Sequence, residues 1–460
     1  MFSSLYDHFL LLLSIILLLL ETIATTITLF IPQRVINAIS GFLRMALPTC
    51  IEELELEADP ERKRKIQEVS EAISFGDICR VHGYQSADFL VATPDGYMLG
   101  IQRILPKGPR KGVVYLHHGL LMNSEIWVAS PEPEDSIAFQ LVDAGYEVWL
   151  GNNRGNKYSR KHLDRAPNSR EFWNFCIDEF ALYDIPSTVD YILKVAKAEN
   201  LVYIGFSQGS AQAFAALSVH PELNEKISMF IALGPTLAPP SFGPRILQSL
   251  IGASPSFLYH LFGHRVILRS TVFWQNVMLP KLFVTMIDWS NTILFQWKSR
   301  DISWAQKMTG YMHLYSYTSV KCVVHWFQII ARGKGIHMFD DSELGPFGSS
   351  IVGSNAMFYQ VPFYPTRNIT SSIELIYGDD DNLVNIDFLE ANLPVGKVGT
   401  FKVEGYEHLE MIWGRKVRSV IAPHIINLLS RHVSPKLIKY TEIDEEKIRI
   451  QESAHAYAEI

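Results

Sequence analysis

Gly205-Phe206-Ser207-Gln208-Gly209 follows the apolar run Leu201 to Ile204, so a serine framed by two glycines stands where a strand must turn at once into a helix. The turn holds the serine backbone in a conformation most residues avoid, and strand and helix approach so closely that a Cβ at either glycine would collide. A chain with this pentapeptide therefore needs a sheet whose strand ends are open and a helix stacked directly behind one of them. The serine so presented is a candidate nucleophile. Its hydroxyl is a poor one at neutral pH unless a base takes the proton and a carboxylate orients that base.

Both partners follow in the order serine, acid, histidine. The strand-like run Ile373 to Tyr377 leads into Gly378-Asp379-Asp380-Asp381-Asn382, and Thr400 to Val403 leads into Gly405-Tyr406-Glu407-His408-Leu409-Glu410. Each group lies at a strand C-terminal end, where open α/β sheets gather their chemistry. Among the three adjacent carboxylates the spacing favours Asp381, with Asp380 as the fallback. Donors for a developing oxyanion are expected from backbone N–H groups: Val113 to Leu116 ends in His117-His118-Gly119-Leu120-Leu121, which offers Leu120, and the residue after the serine offers Gln208. Adjacent histidines on a strand point apart, so His117 and His118 are not read as a metal pair. No metal or organic cofactor is expected.

Short apolar runs at Gly112–His117, Glu147–Leu150, Leu201–Ile204, Ile227–Leu233 and Ile373–Tyr377 alternate with helical stretches such as Ile185–Ala198. This predicts an α/β fold with a mainly parallel sheet covered on both faces. Asp88–Ala92 and Tyr97–Ile104, separated by Thr93-Pro94-Asp95-Gly96, predict a hairpin. From Pro235 to about Pro362 the alternation lapses and Phe, Trp, Tyr, Leu and Met crowd the chain. The expected organisation is a core at 77–235 and 363–435, a helical cap inserted at 236–362, and a polar tail at 436–460. Residues 51–76, charged and interrupted by Pro60, are expected to form a linker or a solvated helix. A net charge of -7 with 19% charged residues excludes a nucleic-acid binder, which needs concentrated Lys and Arg. The four cysteines, Cys50, Cys79, Cys176 and Cys322, fit no zinc spacing and read as free thiols.

Residues 1–50 are expected to form a hydrophobic membrane anchor. Phe9 to Leu20 is unbroken by charge, and after Glu21 the chain stays uncharged to Pro32. Together these stretches exceed the roughly 20 residues a bilayer requires. Met1 to His8 lacks the Lys or Arg of a signal peptide, whereas Arg34, Arg44 and Arg62–Lys65 lie beyond the run, which would leave the following domain cytosolic. Because Glu21 divides the run, a shallow hairpin in the surface of the endoplasmic reticulum or of a lipid droplet stays open, as do a cleaved signal leading to a secretory or vacuolar lumen and a buried core helix. The sequon Asn368-Ile369-Thr370 would bear a glycan only in a lumenal domain.

Five blocks now support a resemblance: His118-Gly119-Leu120-Leu121; Gly151 to Asn156 with Ser159-Arg160-Lys161-His162; Phe172-Trp173 through Asp178-Glu179 to Tyr183-Asp184; Gly205 to Gly209; and Tyr406 to Leu409 with Ile412-Trp413-Gly414. In order and content they resemble the acid lipase family of α/β-hydrolases over about Asp77 to His432. That resemblance implies Ser207 as nucleophile, Asp381 as acid, His408 as base, and Leu120 and Gln208 as oxyanion donors. With the N-terminal run and Leu29-Phe30-Ile31-Pro32-Gln33, the chain looks most like the membrane-anchored fungal branch acting on steryl esters. A triacylglycerol lipase, an acyltransferase or a non-catalytic tether at a droplet surface are the alternatives. The partners implied are a lipid ester and a membrane or droplet surface. Arg154 is expected to tie its loop down, pairing with Asp178 or Glu179.

Overall fold

The computed structural model describes residues 59–240, 242–278, 280–341 and 361–432. Within them the strands are β1 (Ser86–Ala92), β2 (Tyr97–Ile104), β3 (Gly112–His117), β4 (Tyr146–Gly151), β5 (Lys161–His162), β6 (Leu201–Phe206), β7 (Ile227–Leu233), β8 (Ser372–Gly378) and β9 (Val398–Val403). They join in the order β1-β2-β4-β3-β6-β7-β8-β9, with β5 on the side of β2. β1 and β2 form the expected hairpin, Ala92 opposite Met98, closed by Thr93 N–H to the Tyr97 carbonyl at 2.8 Å with Gly96 at φ 96°. From β4 through β3, β6, β7 and β8 to β9 every pairing is parallel.

All six residues of β4 and all six of β6 are buried, which is why these strands read as continuous apolar runs rather than alternating ones. Neighbouring residues nevertheless serve opposite faces. Val114, Leu116, Val148, Val202, Ile204 and Ile231 pack with helix α3 (Ile137–Asp143) and the C-terminal helix Ala422–His432. Val113, Tyr115, Trp149, Tyr203 and Phe230 pack with α4 (Ile185–Ala196) and α5 (Gln208–Val219) on the other side.

Between β7 and β8 the described chain is helical: α6 (Arg245–Ile251), α7 (Pro255–Phe262), α8 (Arg269–Val277), α9 (Pro280–Phe295), α10 (Trp304–Gly310) and α11 (Val320–Arg332). Some of its aromatics, such as Phe283 and Tyr311, are buried in the same apolar cluster as one face of the sheet, while Phe257, Trp274 and Trp289 stay exposed.

Two expectations change before β1. Pro60 does not interrupt a helix; it begins α1 (Pro60–Glu71) at a position where its missing N–H costs nothing, with the Asp59 side chain accepting from Glu61 N–H at 3.0 Å. Nor is this stretch a solvated linker. Ile66 and Val69 are buried, and the Val69 carbonyl accepts from His313 Nε2 at 2.7 Å. His313 in turn meets Glu125 through Nδ1 at 3.0 Å, and Lys157 donates to the same carboxylate oxygen at 2.6 Å. Burial alone would raise the Glu125 carboxyl, but Lys157 and His313 bring it down to about 2. A second short helix, α2 (Phe75–Val81), follows under a capping box made by Ser74 and Asp77. Among the described residues no helix is long and apolar enough to cross a membrane; the expected anchor at 1–50, Cys50, the first part of the linker and the polar tail lie outside them.

Candidate active site

β6 ends at Phe206 and α5 begins at Gln208, leaving Ser207 alone in the turn with φ 53° and ψ -118°. That is a strained conformation for a residue with a side chain, and it is held from both sides. Ser207 N–H donates to the Leu233 carbonyl of β7 at 3.0 Å, and Ser210 and Ala211 N–H close on the Ser207 carbonyl. The flanking glycines are required by distance. A Cβ at Gly205 would stand 2.5 Å from the Gly209 carbonyl oxygen, and one at Gly209 would stand 2.5 Å from the carbonyl oxygen of His117. Helix α5 can reach the end of β3 only because neither side chain exists.

His408 and Asp381 meet. His408 Nδ1 lies 2.7 Å from Asp381 Oδ2, and both residues are buried. Since the carboxylate can only accept, Nδ1 carries the proton, which leaves Nε2 as the lone-pair nitrogen. Asp381 is held by Leu383 N–H on its other oxygen at 3.0 Å. Its two neighbours are exposed, Asp379 occupied by Gly405 N–H at 2.6 Å and by Lys402 at 3.5 Å, so burial selects Asp381 from the run of three. The histidine ring lies between Phe206, 4.9 Å away, and Trp297, 5.3 Å away and nearly parallel at 20°. Gly234, at φ 52°, passes close beneath it: a Cβ there would come within 3.0 Å of the ring. Ser207 and His408 thus both adjoin the Leu233-Gly234 corner.

The oxyanion-donor candidates converge on the same serine. A Cβ at Gly119 would lie 3.2 Å from Ser207 Cβ, so the loop carrying Leu120 packs directly on the turn. Gln208 N–H is the first amide of α5 and has no intrahelical acceptor by helix geometry. The loop is fastened by His118, whose Nδ1 donates to the Gly119 carbonyl at 2.8 Å while Nε2 accepts from Asn153 N–H at 3.1 Å. Burial pushes His118 down to about 4, keeping the ring neutral as this pair of bonds requires. The expectation that His117 and His118 point apart does not hold. β3 ends at His117, and the two rings lie 5.0 Å apart.

Arg154 also finds other partners than expected. Its guanidinium donates to Asp184 at 2.6 and 2.9 Å and to Asp95 at 2.5 Å, and it lies 4.1 Å over the Tyr97 ring. Asp178 accepts instead from Phe339 N–H at 2.8 Å and Tyr364 hydroxyl at 2.7 Å, and Glu179 accepts from Cys176 N–H. Cys176, Asp178 and His325 bring one donor atom each within 4.8 Å of one another, but these bonds already engage both Asp178 oxygens.

Two tryptophans at the site were not read from the sequence. Trp326 of α11 donates to Gln208 Oε1 at 2.7 Å, with Cys322 Sγ at 3.4 Å from the same oxygen. Trp297, beyond the end of α9, donates to Asn382 at 2.9 Å, and Asn382 donates back to the Phe295 carbonyl at 2.6 Å. Lys298 and Ser299 N–H are held by Glu407, the residue before the histidine, at 2.7 Å each. The inserted helices are therefore bonded to the turn and to both loops of the site.

The arrangement suits acyl transfer: a serine strained in its turn, an imidazole oriented by a buried carboxylate, and the Gly119 loop packed on the same turn. Comparison with known proteins agrees with this chemistry. Residues 112–392 match the α/β-hydrolase fold family, and residues 75–131 match the partial α/β-hydrolase lipase region. A protein of Schizosaccharomyces pombe named "Probable lipase" is 45% identical, covering 77% of this chain and 80% of its own. Gastric triacylglycerol lipase of Rattus norvegicus is 33% identical over 76% of this chain and 89% of its own. Lysosomal acid lipase/cholesteryl ester hydrolase of Homo sapiens is 32% identical over 81% and 92%. The chain belongs to the acid lipase family of α/β-hydrolases and is a lipase-type ester hydrolase.

Proposed function

We propose that Ser207 attacks the carbonyl of a lipid ester with His408 as general base and Asp381 orienting it. The observation that carries this is the buried 2.7 Å contact between His408 Nδ1 and Asp381, which leaves Nε2 to take the serine proton. The tetrahedral oxyanion is held by Leu120 and Gln208 N–H. Collapse breaks the ester bond, and the alcohol leaves with the proton from His408. Water, deprotonated by the same imidazole, then attacks the acyl-serine and releases a fatty acid.

The substrate proposed is a steryl ester, and a residue 1–50 anchor would keep the enzyme at a membrane or lipid-droplet surface with its domain in the cytosol. The inserted helices at 236–362 would act as a cap over the site. Exposed Leu282, Met286 and Trp289 recur along one face of α9 and support contact with lipid. A second reading, triacylglycerol hydrolysis, is favoured by the gastric triacylglycerol lipase relatives. Release of oleate from cholesteryl oleate and from triolein, measured side by side with full-length protein and Ser207→Ala, tests both. Serine-dependent cleavage of the steryl ester alone supports the first; the reverse preference supports the second. Failure on both esters, with no labelling by a fluorophosphonate, overturns the enzyme reading in favour of a tether.

A further inference from the structure

Every deeply buried arginine of the described chain is neutralised. Arg154 has Asp95 and Asp184, and Arg103 and Arg110 share Glu147. A different group of cations is not. Arg160, Arg265 and Arg269 are each half-buried, and among the described residues no carboxylate pairs with any of them.

Arg160 follows the Asn/Gly-rich loop after β4 and places its guanidinium 4.8 Å over the ring of Tyr317 and 6.0 Å from Trp173. Arg269 is the first residue of α8, and the chain just before it runs antiparallel to the segment after the same tyrosine, with Ile267 N–H donating to the Thr318 carbonyl at 3.1 Å. Arg265 has its backbone pinned three residues beyond that tyrosine, its carbonyl accepting from Val320 N–H at 2.8 Å; its side chain donates to the Asn168 carbonyl at 3.0 Å. Burial, with the charges of Arg160 and Arg265 adding to it, pulls Arg269 below the ordinary arginine range, against a smaller effect of Tyr317 in the other direction. Like charges drawn together and partly desolvated are costly unless something of opposite sign joins them. Guanidinium forks and a helix N-terminus select the same visitor, a planar or tetrahedral oxyanion.

The segment that carries Tyr317 is bonded to the loop of Leu120 and Leu121. Ser316, adjacent to Tyr317, donates its N–H to the Leu121 carbonyl at 2.6 Å, and its hydroxyl accepts from Lys157 N–H at 2.9 Å. Tyr315 N–H is bonded to Gln275 of α8 at 3.0 Å. One strap of backbone therefore connects the oxyanion loop to the helix that Arg269 opens. Leu121 and Leu268 both lie, half-buried, against one apolar cluster with Phe262 and Leu258, so apolar surface runs from that loop to the cations.

We infer that Arg160, Arg265 and Arg269 form a subsite for the oxyanion head of an amphiphile, in the first instance the carboxylate of a long-chain fatty acid. As a product site it rests on the proposed hydrolysis. A phospholipid head group shares the chemistry, and the experiment separates the two. Calorimetric titration of full-length protein with sodium oleate, with oleyl alcohol, and with vesicles of phosphatidylglycerol and phosphatidylcholine is compared between wild type and Arg269→Gln. The expected result is an oleate Kd raised about tenfold in the variant, with oleyl alcohol unaffected. Weakening of vesicle binding alone assigns the subsite to a lipid head group. Arg269→Gln should also raise Tm in ligand-free protein, because it relieves repulsion; a merely structural arginine would lower it. Unchanged affinity for both anions in Arg269→Gln and in Arg160→Gln, with both variants folded, overturns the subsite. Turnover of 4-nitrophenyl butyrate by the wild type reports separately on the hydrolase reading, so the two can fail independently.

Discussion

The turn at Ser207 and the helices inserted between β7 and β8 are built on opposite principles. Around the serine the closest approaches leave no room for a side chain: Gly205 lies against the Gly209 backbone, Gly209 against the His117 backbone, and Gly119 against the side chains of Met122 and Ser207. Polar groups there are partnered, as in Asp381 with His408 and the buried Arg154 with Asp95 and Asp184. Across the insert, Leu282, Met286 and Trp289 face outward, and Arg269 has no counter-charge among the described residues. Acyl transfer needs amides and imidazole fixed to within a fraction of an ångström, whereas a water-insoluble substrate needs an apolar surface that can meet it. Rigidity is concentrated at the chemistry, and unsatisfied surface at the approach to it.

The largest effect should come from the serine and its base. Ser207→Ala, His408→Ala and Asp381→Asn are each expected to reduce ester hydrolysis by about 10³-fold or more, with the Tm of each within a few degrees of wild type. Because the three act as a unit, the double variant Ser207→Ala/His408→Ala should be little worse than either single one. If Asp380→Asn proved as damaging as Asp381→Asn, the selection of the acid by burial would be wrong. Gly209→Ala should act differently, through folding: its methyl group has only the carbonyls of His117 and His118 to displace, so a loss of about 3 kcal/mol or more is expected in urea unfolding.

A smaller effect tests where the two regions touch. Trp326→Phe keeps most of the packing but removes the stronger donor to Gln208 Oε1 and leaves only the Cys322 thiol, at a cost of about 1 kcal/mol. The expected readout is a lowered kcat with little change in KM, since the role proposed for Gln208 N–H is in the transition state. An equal change in both would make Trp326 a wall of the substrate slot instead.

Acid should loosen the serine region through His118. Burial holds this ring at about 4, whereas in the unfolded chain it stays near 6.5. The unfolded state therefore takes up the proton first. The stability contributed by the neutral ring is whole above about pH 6.5, declines as pH falls, and is gone below about pH 4. Protonation of Nε2 would also break the bond from Asn153 N–H that fastens the oxyanion loop. Urea unfolding at pH 7, 5.5 and 4.5 should show stability falling with acid, and more steeply than in His118→Asn.

These regions were not equally legible in the sequence. Strands buried on both faces leave uninterrupted apolar runs, and glycines forced by backbone contact leave a fixed spacing, so β3, β6, β7 and the serine turn could be read almost to the residue. The order of serine, acid and histidine was likewise local in pattern. What could not be read is long in range or ambiguous in type. Arg154 reaches carboxylates 59 and 30 residues away, and nothing near it distinguishes Asp95 and Asp184 from Asp178. Trp297 and Trp326 are chemically the same as Trp289, yet two of them hold the site and the third faces solvent. Asp381 differed from Asp380 only once burial was known. Helix α1 looked solvated because its apolar contacts, Ile66 and Val69, are sparse among seven charged residues.

The smallest expected effect reads the insert alone. Leu282→Ser, Met286→Ser and Trp289→Ser change side chains that are 52%, 40% and 63% exposed, so each should shift stability by no more than about 0.5 kcal/mol. Hydrolysis of emulsified triolein or cholesteryl oleate should nevertheless fall several-fold in the triple variant. The fall should come from weaker adsorption to the lipid phase, so it should shrink as the emulsion surface is increased. The chain just past α9 carries Trp297 against the His408 ring, and the stripe matters only if lipid meets the enzyme there. Equal loss at every surface concentration would place the defect at the histidine instead, and the contrast between a rigid floor and an adaptable approach would no longer hold for this helix.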